Sequence, residues 1–194
     1  MDKFIFLIEN NLDDKLCIEI IDKFDNDNNI KPGLTGYTLN KETKNTKDLF
    51  ISNKINWKSI DNILKKKLNE SINKYIDNLY IKYKIQPSFL VKCSNLSDSG
   101  YQIQKYNKNE GFYNWHDDYC IDKKFGTRVL TFLWYLNDVK EGGETEFING
   151  IKIKPKEGTL LLFPSDWSYV HKGNMPLTND KYICTGWLYT NWKI

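Results

Sequence analysis

The stretch Glu144-Thr145-Glu146-Phe147-Ile148-Asn149-Gly150-Ile151-Lys152-Ile153-Lys154 decides the fold. Two β-rich runs flank Asn149-Gly150, a strong two-residue hairpin signal, because both residues tolerate the positive φ that such turns demand. Outward from this hairpin the same texture continues. Tyr101 to Tyr106, Arg128 to Leu136, Thr159 to Phe163, Ser168 to His171 and Lys181 to Tyr189 are short apolar or alternating runs. Gly142-Gly143 and Glu157-Gly158 punctuate them, and the segment Gly142 to Thr145 reads as a structural turn. Several short strands at this spacing imply a sandwich or barrel of antiparallel strands, not parallel βαβ units.

The N-terminal half has a different period. Phe4 to Ile8 reads as a strand, and Asn11 as the N-cap of a helix whose apolar stripe is Leu16, Cys17, Ile20, Ile21 and Phe24. Pro32-Gly33 closes that region, and residues 34 to 54 read as a loop with one strand near Asp48 to Ser52. A second helix carries Ile60, Ile63, Leu64, Leu68, Ile72, Tyr75, Ile76, Leu79 and Tyr80 on one stripe and ends before Pro87. Lys65 to Lys67 is its solvated face. The expected architecture is mainly β: a double-sheet core with the two N-terminal helices packed on one sheet. No repeat or linker interrupts it, so one domain is expected over 1–194, with 1–95 as helical support and 100–192 as the core.

Composition removes several functions. The 194 residues are 14% aromatic, too rich in buriable surface for a disordered chain. The net charge of +3 is too balanced for a nucleic-acid-coating surface. No run approaches the roughly 20 apolar residues of a membrane helix, and the first residues lack a secretory pattern. A cytoplasmic protein is the expectation. Cys17, Cys93, Cys120 and Cys184 form no C-x-x-C pair and read as free thiols. The chain has two histidines, His116 and His171, and one arginine, Arg128. Chemistry that needs imidazole or guanidinium must use these positions.

In Trp115-His116-Asp117-Asp118-Tyr119, extended backbone puts His116 and Asp118 on one face and Asp117 on the other. A His-x-Asp pair alone is common by chance. His171, the remaining histidine, would complete two imidazoles and a carboxylate, a set that leaves metal positions open and is used by non-haem Fe(II) oxygenases. Beyond it, Lys181, Ile183, Thr185 and Trp187 share one strand face, and Thr131, Leu133 and Tyr135 share another. A lysine and a threonine beside a bulky aromatic suit an anion pocket. The bland alternative is that Lys181 is one more surface lysine.

These positions, with Tyr106, Tyr113, Gly142-Gly143-Glu144-Thr145, Gly158, Phe163, Gly173, Pro176 and Thr178, resemble in order and spacing the 2-oxoglutarate-dependent Fe(II) oxygenases of the prolyl 4-hydroxylase-like branch. The resemblance implies a double-stranded β-helix core (jelly-roll, cupin-like). It implies Fe(II) held by His116, Asp118 and His171, and the C5 carboxylate of 2-oxoglutarate paired with Lys181. Tyr106, Thr131, Tyr135 and Thr185 are implied cosubstrate contacts, and Tyr113, Arg128 and Trp187 the lining of a proline pocket. The implied reaction consumes O2 and couples oxidative decarboxylation of 2-oxoglutarate to succinate with C–H hydroxylation, with L-ascorbate as a reductant. The implied partner is a proline-containing peptide or protein, not nucleic acid or membrane, met by a monomer or weak dimer. Rival expectations are a hydroxylase of a free amino acid or small molecule, a nucleic-acid demethylase, whose relatives place arginines after the distal histidine, and a metal-free binding module.

Overall fold

The computed structural model describes residues 2–36, 38–86, 96–123 and 125–190. In chain order the elements are β1 (Phe6–Ile8), α1 (Asp14–Asp25), β2 (Lys31–Pro32), β3 (Lys44–Asn45), β4 (Lys47–Phe50), α2 (Lys58–Tyr83), β5 (Leu96–Asp98), β6 (Gln102–Tyr106) and β7 (Phe112–His116). There follow β8 (Ile121–Asp122), β9 (Gly126–Tyr135), β10 (Thr145–Phe147), β11 (Lys152–Ile153), β12 (Leu160–Pro164), β13 (His171–Gly173) and β14 (Lys181–Thr190).

The strands form two antiparallel sheets. The major one runs β1-β12-β9-β14-β6-β4-β2, with β5 beside β14 and β8 beside β9; the minor one runs β11-β10-β13-β7-β3. From β6 onward the chain passes back and forth between them: β6 major, β7 minor, β9 major, β10 minor, β12 major, β13 minor, β14 major. That alternation is the jelly-roll winding expected from the sequence.

Strand periodicity sorts the side chains of the major sheet into two layers. Leu133, Tyr135, Leu161, Phe163 and Ile183 point inward and pack with Phe147 and Ile153 of the minor sheet. Phe132, Trp134, Leu160, Leu162 and Cys184 point outward and pack with Leu16, Ile20 and Phe24 of α1 and Leu64, Leu68 and Leu79 of α2. Both helices therefore cover one sheet, as the sequence implied, and leave the interior between the sheets to the site. No helix among the described residues is long and apolar enough to cross a membrane.

Several local expectations need correction. The N-cap of α1 is Asp13, whose carboxylate accepts from the Leu16 amide. Asn11 instead accepts from Trp134 Nε1 at 2.7 Å and donates to Ser71 Oγ at 2.9 Å, tying the N-terminal segment to β9 and α2. Ile63 and Tyr80 of the α2 stripe are exposed, because the helix meets its neighbours along a narrower contact than its apolar face. Residues 34–54 hold β4 close to the strand expected near Asp48 to Ser52, and also β3, which the sequence did not suggest. Of the strand expected over Ser168 to His171, Ser168 and Tyr169 belong to a 3-10 turn capped by Asp166, and β13 starts only at His171.

The hairpin at Asn149-Gly150 has a three-residue loop, since Phe147 N–H donates to Ile151 O and Gly150 N–H to Phe147 O. Only Gly150 has positive φ, 85°, so the turn is a right-handed one closed by a bulge and not the two-residue mirror-image type. Gly142 and Gly143 both have positive φ, as their turn requires. Cys17, Cys120 and Cys184 are free thiols; Cys93 and Pro87 lie outside the described residues.

Candidate active site

His116 is the last residue of β7 and His171 the first of β13, and the two are cross-strand partners. Sheet pairing thus brings residues 55 apart in sequence to a ring separation of 4.3 Å. Asp118 follows just beyond β7, and its Oδ2 lies 3.7 Å from His171 Nε2. One ligand atom from each of the three residues lies within 4.8 Å of the others. Asp117 points away and accepts from the Tyr119 amide.

The hydrogen bonds orient these groups. His116 Nδ1 lies 2.7 Å from Asn114 O, and His171 Nδ1 lies 3.0 Å from Tyr169 O. A carbonyl only accepts, so both Nδ1 atoms carry a proton, and Nε2 is the nitrogen left on each ring to meet a metal. Thr131 Oγ1 donates to Asp118 Oδ2 at 2.8 Å and lies 2.9 Å from Ser165 Oγ. Burial, reinforced by the neighbouring His171, pushes His116 down to about 4. Burial raises the Asp118 pKa, but His171, His116 and the Thr131 hydroxyl outweigh it and hold the carboxyl below the usual range. Two imidazoles and one carboxylate, converging on one point, fit Fe(II) and leave coordination positions open.

Lys181, the first residue of β14, is only 1% exposed. Its Nζ lies 4.7 Å from the Tyr106 ring centre and 5.7 Å from that of Tyr135. Burial pushes it down to about 7, with only Glu144 acting in the opposite sense. A lysine side chain buried among aromatic faces, with no ion pair among the described residues, suits an anionic partner, which would favour its charged form.

His116, Asp118, His171, Lys181, Tyr106, Tyr113, Thr131, Thr185 and Trp187 all line one cleft between the sheets. Two expected site residues do not. Tyr135 sits beneath Lys181, and Arg128 lines a neighbouring groove. Arg128 stacks on Trp187 at 3.8 Å, donates from Nε to Tyr189 Oη at 2.7 Å and reaches Asp118 O from Nη1 at 3.4 Å. A planar guanidinium can stack and donate in two directions at once, which lysine cannot.

The hydroxyl protons are already in use. Tyr135 donates to Thr145 Oγ1 at 2.7 Å, Thr185 to Phe132 O at 2.8 Å and Tyr106 to Gln104 Oε1 at 3.2 Å. A carboxylate in the cleft only accepts, so a bond from any of them requires the hydroxyl to turn. Thr131 is engaged with Asp118. Gln104 and Thr145 also line the cleft and were missed by sequence reasoning. Gln104 was recoverable, because it lies two residues before Tyr106 on the same strand face.

Residues 101–189 match the family described as the 2OG-Fe(II) oxygenase superfamily. The chain is 34% identical over 112 residues to prolyl 4-hydroxylase 1 of Arabidopsis thaliana, covering 45% of this chain and 39% of that one. It is 38% identical over 72 residues to prolyl 4-hydroxylase subunit alpha-1 of Gallus gallus, covering 33% of this chain and 14% of that one. The chain spans about two-fifths or less of these curated relatives' length. In fold it is similar to the viral collagen prolyl hydroxylase of Paramecium Bursaria Chlorella virus-1, solved as a 2OG complex, with TM-score 0.69, 21% identity and 97% of each chain covered. It is also similar to a prolyl hydroxylase of Trichoplax adhaerens, solved with a hypoxia inducible factor peptide fragment, with TM-score 0.74, 18% identity, and 97% of this chain and 84% of that one covered.

Proposed function

We propose that this protein, which carries a prolyl 4-hydroxylase-like 2OG-Fe(II) oxygenase core over residues 101–189, hydroxylates prolyl residues of a peptide or protein with 2-oxoglutarate as cosubstrate. One observation carries the reading: the buried Lys181, without an ion pair among the described residues, lines the same cleft as His116, Asp118 and His171. A redox metal and a dicarboxylate need that pairing of sites.

His116 and His171 would hold Fe(II) through Nε2, and Asp118 through a carboxylate oxygen. Bound iron with 2-oxoglutarate and O2 supplies the oxidising power that turns C–H into C–OH. The protein's part is placement. Thr131 fixes the Asp118 carboxylate, and the Asn114 and Tyr169 carbonyls fix the imidazoles. Lys181 would neutralise the far carboxylate, while Tyr106 and Thr185 line the cleft with hydroxyls that can turn toward it. Trp187 would offer an apolar face for a proline ring, Tyr113 borders the same cleft, and Arg128 holds Trp187 in place. The reading extends to a single domain in the cytoplasm, a monomer or weak dimer, with L-ascorbate as a reductant.

The test is mass spectrometry of a proline-rich peptide incubated with the full chain, Fe(II), 2-oxoglutarate and ascorbate. A gain of one oxygen on proline, lost when either Fe(II) or 2-oxoglutarate is omitted, supports the proposal. Oxidation of free proline or of a methylated nucleobase, with no proline-containing peptide modified, overturns it.

A further inference from the structure

Beside the cleft, behind Tyr113, lies a buried ion pair. Lys44 and Asp48 are 4% and 6% exposed, and Lys44 Nζ lies 2.7 Å from Asp48 Oδ2. Thr46 Oγ1 donates to Asp48 Oδ1 at 2.7 Å, so both carboxylate oxygens are engaged. Gly33 closes the trio from outside: a Cβ there would meet Thr46 Oγ1 at 2.1 Å, so no larger residue fits without displacing it. Because β3 belongs to the minor sheet and β4 to the major, the pair bridges the two sheets.

The ammonium reaches the site through Tyr113. Lys44 and Tyr113 are cross-strand partners, and Nζ lies 5.1 Å from the Tyr113 ring centre. The Tyr113 ring is stacked on His116, with centroids 3.5 Å apart and planes 13° from parallel. His116 fills one face of the ring, so the ammonium lies over the other. Asp48, Lys44, Tyr113 and His116 form one continuous stack ending on a metal-ligand candidate. An ion pair this deep adds little stability over an apolar pair of the same volume, so its charge needs another reason, and a cation held against an aromatic face supplies one.

We propose that Lys44 is a positioning residue of this site: anchored by Asp48, it holds the Tyr113 ring, which in turn holds the His116 imidazole toward the cleft. The link to peptide turnover rests on the function proposed above; the link to metal binding does not.

The deciding variant is Lys44→Met with Thr46→Val and Asp48→Leu, which removes every polar member of the trio and leaves no buried charge unpaired. Co(II) alone is the probe, titrated into the full chain and read by its visible spectrum, alongside thermal unfolding. The expected result is a cooperative unfolding transition like that of the parent and a Co(II) affinity about tenfold weaker, the usual cost of losing a group that orients a ligand. Lys44→Arg, which keeps the cation, should retain parental affinity. A folded triple variant with parental Co(II) affinity overturns the proposal. Should the triple variant fail to fold, Tyr113→Leu decides, since it leaves the ion pair intact. It must show the same weakening, and unchanged affinity refutes the role. If the parent binds Co(II) but hydroxylates no peptide, the functional reading fails while the Co(II) comparison still decides this one.

Discussion

His116 and His171 stand directly opposite each other on adjacent antiparallel strands, each with Nδ1 bonded to a main-chain carbonyl two residues earlier. The ladder sets their separation and the local carbonyls set their tautomer, so two imidazoles are aimed before any metal arrives. Asp118 enters from the loop after β7, where Thr131 of the opposite sheet donates to it, and Thr131 in turn meets Ser165 just beyond β12.

From this arrangement, His116→Ala, Asp118→Ala and His171→Ala should each abolish Fe(II)-dependent succinate formation, because two remaining donors do not hold the metal. Asp117→Ala should bind Co(II) within about twofold of the parent, since its carboxylate only closes a local turn with Tyr119. Equal loss in Asp117→Ala, measured by Co(II) titration, would contradict the assigned register.

Lys181→Met should raise the apparent 2-oxoglutarate KM by roughly 30- to 150-fold, the equivalent of the ~2–3 kcal/mol in a charged hydrogen bond. The same substitution has a pH signature in the ligand-free protein. Burial lowers Lys181 from 10.5 to about 7, so between these values the unfolded chain holds a proton that the folded one lacks. Parental stability should therefore rise with pH across that window relative to Lys181→Met, by up to about 1.4 kcal/mol per pH unit. Urea unfolding of both proteins at pH 7, 8 and 9 checks this; parallel curves would show that Lys181 is charged in the free cleft.

Arg128→Lys and Trp187→Ala should cut kcat/KM for a proline-rich peptide at least tenfold and leave peptide-independent 2-oxoglutarate decarboxylation within about twofold. Neither residue supplies a metal-ligand candidate, and together they form a wall through the 3.8 Å stack. Parallel loss of both activities would move these residues from the substrate side to the metal or cosubstrate side.

Asn11→Ala should destabilise the fold by about 1–3 kcal/mol, because it leaves Trp134 Nε1 buried without its acceptor and Ser71 without its donor. Turnover per folded molecule should stay unchanged, since the contact lies on the helix-covered face of the major sheet, away from the cleft. Chemical denaturation paired with a succinate assay tests both halves.

Local chemistry made much of this protein readable from its sequence. The periods of two and 3.6 separated strands from helices, and alternation along β9 and β14 put Thr131, Leu133, Lys181, Thr185 and Trp187 on inward faces. With only two histidines in the chain, a His-Asp-His set could fall in one place. Tertiary structure decided what depends on distance between elements. Asn11 reads as a cap because its neighbours are helical, yet it faces Trp134, 123 residues away. Thr131 reads as a cosubstrate contact, yet its hydroxyl meets Asp118, carried in by a loop whose path no spacing encodes. Lys44 and Asp48 lie in a segment with no apolar period, and look like solvated charges in a lysine-rich chain. Only the meeting of β3 and β4 at the join between the sheets buries them against Tyr113. Side-chain period is a property of a single strand, whereas the partner of a buried polar group is fixed by how strands far apart in sequence are brought together.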